Sequence, residues 1–196
     1  MLTISKGDRQ KLKEKDLRYS RTRKSILSAM TKLLKTKKFE QITVTNICEE
    51  AEISRSGFYL HYVDKYDLVE VSLKEFRDHA NYFAQENVGN GKTALFSSML
   101  TYLQNEGDLI AAFISENGSI EVQNYIKQMM QENARINVFP QLDLKIENET
   151  EEHYVLLFLS NALFGVLQDW IDRGQKESPD ELVRIIDRLI AFDFKK

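Results

Sequence analysis

Between residues 21 and 36 the apolar positions are Ile26, Leu27, Met30, Leu33 and Leu34. That is i, i+1, i+4, i+7 and i+8, a spacing that a helix gathers into one stripe. Arg23, Lys24, Lys32 and Lys35 fall on its other face. The pattern then breaks into short pieces. Val44, Ile47, Cys48 and Ala51 predict a second helix over 44–51, with Thr43 at its N-cap position. Ser54 can cap a third, over about 55–61. Asp64 can cap a long fourth, to about residue 87, along which Val69, Leu73, Phe76, Ala80 and Phe83 keep a stripe. Helices follow over 93–106, 108–116 and 120–138, separated by Gly107 and Gly118, and 139–148 reads as a loop around Pro140. Residues 149–173 form one helix that is apolar nearly all round, which calls for cover on several sides. Gly174 ends it. Ser178-Pro179-Asp180-Glu181 then supplies a capping box with proline at the first helical position, and opens a last helix running to about residue 192.

Composition sharpens this into an all-α fold class. Only two prolines and eight glycines interrupt 196 residues, too few for a many-stranded, turn-rich chain. One cysteine, Cys48, gives no intramolecular disulfide. The N-terminus lacks the apolar stretch of a signal peptide. The apolar run over 154–167 is interrupted by Ser160 and Asn161 and falls short of the roughly 20 residues of a membrane span. A soluble, cytoplasmic protein is expected.

Charge divides the chain. Residues 1–78 hold 17 basic and 12 acidic side chains, whereas residues 79–196 hold 10 and 18. Residues 1–38 alone hold 13 basic and 3 acidic ones. A basic front on an acidic back suggests a polyanion-binding module joined to a second function. Residues 1–19 read as a basic flexible arm, 20–65 as a three-helix unit and 66–196 as a second helical domain.

In the three-helix unit the second and third helices are short and joined by a tight turn, the pattern of a helix-turn-helix whose latter helix enters the DNA major groove. Its capped start presents unpaired N–H groups, which suit phosphate. Arg55 and Tyr59, at i and i+4, share a face, while Phe58 and Ile53 pack the opposite one. Arg55 is the long side chain able to make a bidentate contact to guanine, and Ser54 and Ser56 can donate to phosphates or base edges. His61, Tyr62 and Lys65 come next, at the turn into the fourth helix, a position suited to backbone phosphates.

The run 23–68 resembles the TetR family of transcriptional regulators. Ile26 and Leu33-Leu34 match its first helix; Phe39, Ile42 and Thr43 match the loop after it. Ile47-Cys48, Ala51 and Ile53-Ser54 match the second helix and turn; Phe58-Tyr59, His61-Tyr62, Lys65 and Leu68 match the recognition helix and the start of the fourth helix. The resemblance implies a homodimer on a palindromic operator in double-stranded DNA, released when a small-molecule effector fills the back domain. By position, Thr43 and Thr45 would contact phosphate. Ser54, Arg55, Ser56 and Tyr59 would sit at the groove, and His61, Tyr62 and Lys65 would hold the backbone. Two residues depart from the pattern. Glu52 stands where the turn commonly has glycine, at a position expected to need a left-handed backbone. Gly57 lies within the recognition helix.

The back half carries the remaining expectations. The last two helices suggest an isologous four-helix bundle between two copies, through Leu156, Leu163, Gly165, Leu167, Trp170, Ile186, Leu189 and Ile190. Phe83, Phe96, Met99, Tyr102, Phe113, Tyr125, Met129, Tyr154, Phe158 and Asn161 are candidates for an apolar effector pocket. No cofactor, metal or catalytic constellation is indicated. Glu149 and His153 are i and i+4 but have no further ligand nearby. The glycines around Asn90 lack the spacing of a phosphate-binding loop. The segment 113–119 and the pattern Gly165, Trp170, Gly174 resemble a TetR-like branch that includes regulators of dihydroxyacetone metabolism. An activator working with a partner protein is therefore the alternative to a repressor, and a small helical enzyme is a remote third.

Overall fold

The computed structural model describes residues 6–87, 90–139 and 146–189. They form α1 (Lys6–Leu34), a 3-10 turn (Phe39–Gln41), α2 (Val44–Glu50), α3 (Arg55–Tyr59), α4 (Lys65–Glu86), α5 (Gly91–Asn105), α6 (Asp108–Ile114), α7 (Ile120–Asn133), α8 (Glu149–Asp172) and α9 (Pro179–Leu189). No strand occurs among the described residues. Two compact units divide between Leu68 and Val69.

In the first unit α1 packs on α2 and α3. Ile26, Met30, Leu34, Phe39, Ile42, Ile47, Phe58, Tyr62 and Leu68 close its core, each at most 3% exposed. Local hydrogen bonds set the short helices. Thr43 and Asn46 form a reciprocal capping box at α2, and Ser54 Oγ accepts from the Gly57 N–H at α3. Asp64 accepts from the Tyr66 and Asp67 N–H groups at the start of α4. The first helix starts at Lys6 and not near residue 21, so 6–19 is helical where a flexible arm is expected. Good helix formers with no proline explain the extension; residues 1–5 lie outside the described part.

In the second unit α5 packs on α6 and α9, and α8 packs on α6 and α7. Trp170 anchors the core, 2% exposed, with its indole N–H donating to the Glu177 carbonyl at 2.9 Å. Gly118 is required by closeness: a Cβ there would lie 1.9 Å from the Phe113 carbonyl oxygen. The chain leaves α8 through two left-handed residues, Gly174 (φ 80°) and Gln175 (φ 54°). The Ser178–Glu181 box forms at α9 with hydrogen bonds both ways. Beyond Asn133, α7 widens into a π-helical turn over Ala134–Val138.

α8 corrects two expectations. At 24 residues it is, by length and composition, long and apolar enough to cross a membrane, and it packs on α6 and α7. Nor is it covered all round. Leu156, Ser160, Phe164, Leu167 and Trp170 are buried, while Tyr154, Leu157, Phe158, Asn161, Ala162 and Gly165 form an exposed stripe.

Candidate nucleic-acid interface

The turn between α2 and α3 bends sharply at Glu52, whose φ is 54°. This is the left-handed conformation expected at that position. From it α3 emerges with Phe58 buried and Ser54, Arg55, Ser56 and Tyr59 exposed. The Arg55 Nη2 donates to the Tyr59 hydroxyl at 3.3 Å, so the i, i+4 pair does share one face. That contact raises the guanidinium's pKa further, and its charge is fixed. The Ser54 and Ser56 hydroxyls lie 2.9 Å apart. Thr43 and Thr45 are exposed at the start of α2, with the Thr43 hydroxyl engaged in its own cap.

The three residues after α3 differ from one another. His61 is half-buried, its ring 4.0 Å from that of Tyr19 on α1. Its Nδ1 is buried with no hydrogen-bond partner among the described residues. Burial, with the nearby Arg23 charge, lowers its pKa. Tyr62 is not displayed to a backbone phosphate: it is 3% exposed, with its ring 5.8 Å from that of Phe58. Lys65 also turns inward, 9% exposed. Its ammonium donates to the carbonyls of Phe39 at 2.9 Å, Glu40 at 3.3 Å and Ile42 at 2.8 Å, and lies over the Phe39 ring. Desolvation lowers its pKa. It fastens α4 to the loop that leads into α2, so its charge satisfies protein carbonyls. Leu60, Val63 and Tyr66 stand exposed beside these residues; the sequence singles out none of them, because they follow no stripe.

The second unit holds a cavity of about 120 Å³ between α4, α5, α7 and α8. Of the residues expected there, Phe83, Phe96, Met99 and Met129 line it. The others do not. Phe113 is fully buried core, and Tyr102 stacks on Phe76 and His79 outside the lining. Tyr125 is exposed, accepting from Arg77 at 3.4 Å. Tyr154, Phe158 and Asn161 occupy the outer stripe of α8, where the Asn161 amide donates to the Leu157 carbonyl. Helical position decides this: Leu156, Leu159, Ser160 and Leu163 point inward instead. The interface set is reordered likewise. Leu156, Leu167, Trp170 and Ile186 belong to the chain's own core, and Leu163 to the cavity. Gly165 and Leu189 are exposed; nothing stands within 4 Å of where a Gly165 Cβ would be. Ile190 lies outside the described residues.

Comparison with known proteins joins the two units. Residues 26–71 match the family described as bacterial regulatory proteins, tetR family, and residues 93–191 match a transcriptional regulator C-terminal region of TetR type. The chain belongs to the TetR family. The N-terminal match takes in α2, the turn at Glu52 and α3. The chain is 28% identical over 185 residues to an uncharacterized HTH-type transcriptional regulator, YxbF, of Bacillus subtilis. The match covers 91% of this chain and 47% of YxbF, so the chain spans about half the length of that curated relative. Among solved structures, a TetR transcriptional regulator of Streptococcus agalactiae shares the fold at 21% identity, with a TM-score of 0.60 over 91% of this chain and 98% of that one. The dihydroxyacetone kinase operon activator DhaS shares it at 19% identity, with a TM-score of 0.52 over 86% and 93%.

Proposed function

We propose that this TetR-family protein is a homodimeric repressor that reads a palindromic operator through α3 and leaves it when a small molecule occupies the second unit. The exposed, mutually bonded Arg55 and Tyr59 on a capped helix carry the reading. Arg55 offers a paired donor to a guanine edge. Ser54, Ser56 and Tyr59 flank it at the groove, with Thr43, Thr45 and His61 nearer the phosphates. The cavity lined by α4, α5, α7 and α8 supports an effector. The α8 stripe, with exposed Ile185 and Leu189 on α9, supports pairing of two copies, which a two-fold operator matches. Such a protein acts inside the cell, where its operator is.

The test is selection of binding sites from a random duplex pool by the purified chain at moderate salt. An enriched inverted repeat, placed between promoter and reporter and silenced by the protein in cells, is the expected result. Ordinary nonspecific binding with no enriched sequence would overturn unaided operator reading. Reporter activation in place of silencing would overturn repression.

A further inference from the structure

We infer that the cavity in the second unit takes an uncharged, largely apolar molecule of about one aromatic ring's bulk, which donates a single hydrogen bond to Ser160. This rests on the reading of that cavity as the effector site and names the chemistry it accepts.

Carbon dominates the lining. Phe76, Phe96, Met99, Met129, Leu159 and Leu163 set its walls, and among the described residues no Asp, Glu, Lys, Arg or His lines it. An ion entering would give up its hydration with no opposite charge to replace it. The size is also informative. About 120 Å³ is close to the roughly 150 Å³ apolar cavity that accepts benzene, and the methionines let the walls adjust around a substituent. At the rim of this space α7 loosens into its π-helical turn, bringing Ala134 and Phe139 into the lining. Such turns gather at functional sites.

Two polar side chains, Ser160 and Asn133, also line the cavity. The Ser160 hydroxyl is 4% exposed and donates to the Leu157 carbonyl at 3.1 Å, while accepting from the Gln131 amide at 3.0 Å. Its proton is therefore used and one lone pair remains. Asn133 spends one amide N–H on Asn81 at 3.1 Å and keeps the other. What Ser160, the buried one of the two, offers inward is an acceptor, which favours an alcohol, phenol or neutral N–H compound at that residue over a ketone or an ester.

Four probes of one ring size separate these demands: benzyl alcohol, toluene, benzoate and benzylammonium, titrated into the full chain by calorimetry at neutral pH. Benzyl alcohol should bind best, toluene about tenfold more weakly, and the two ions weaker still by a further tenfold or more, each tenfold step being about 1.4 kcal/mol. Ser160→Ala should bring benzyl alcohol down to the affinity of toluene. Leu163→Trp, or the milder Met129→Phe should the first fail to fold, should block both. Ions binding as tightly as the alcohol, neutral binding that survives a folded cavity-filling variant, or no binding by any probe would overturn the assignment. Binding of benzyl alcohol that leaves operator affinity unchanged would instead uphold the ligand class and sink the release reading.

Discussion

Arg55 and Lys65, ten positions apart, divide reading from holding. Arg55→Ala should cost about 1–3 kcal/mol of operator binding and relax preference at one base pair in each half-site, seen by binding to single-base operator variants. Equal weakening on every sequence would remove Arg55 from base readout. Lys65→Met should leave the salt dependence of DNA binding unchanged, because its ammonium faces the Phe39, Glu40 and Ile42 carbonyls. It should lower the urea stability of the chain by about 1–3 kcal/mol, the cost of stranding buried acceptors. His61 adds a pH term. Its folded pKa is lowered by burial and by Arg23, so below about pH 6.5 the unfolded chain binds the extra proton first. Its contribution is whole above that pH and is lost as pH falls through the folded pKa. His61→Phe should flatten this acid limb in urea melts taken across pH.

Caps and turns act at the level of the element, and there the sequence was most legible. Thr43, Ser54, Asp64 and Ser178 each bond within three residues, so their roles come from neighbours in the chain. At Glu52 the left-handed residue that the resemblance implies is found. Glu52→Gly should stabilise the fold by about 1 kcal/mol, read from the midpoint of a urea melt, and should tighten DNA binding by removing a negative charge. Distance in sequence is what hid the rest. The Lys65 acceptors lie 23 to 26 residues earlier, and no pattern around position 65 points to them. α8 hid its orientation because it is apolar on every side; only packing on α6 and α7 selects Leu156 over Phe158 as the buried residue.

For the molecule as a whole, the open question the sequence posed was which apolar surface stays uncovered. The answer is the stripe from Tyr154 to Gly165, where Phe158 is 72% exposed. Phe158→Asp should leave the monomer folded and shift it from dimer to monomer in sedimentation, with operator affinity falling in step; a dimer that persists would remove this face from the pairing. One consequence concerns gene dosage. In the proposed homodimer the copy that covers this stripe comes from the same gene. When chains are scarce relative to the pairing constant, the paired form grows as the square of their number. Halving expression would then cut the DNA-competent form about fourfold, and two cells differing modestly in protein content would differ sharply in how firmly the target gene is held silent.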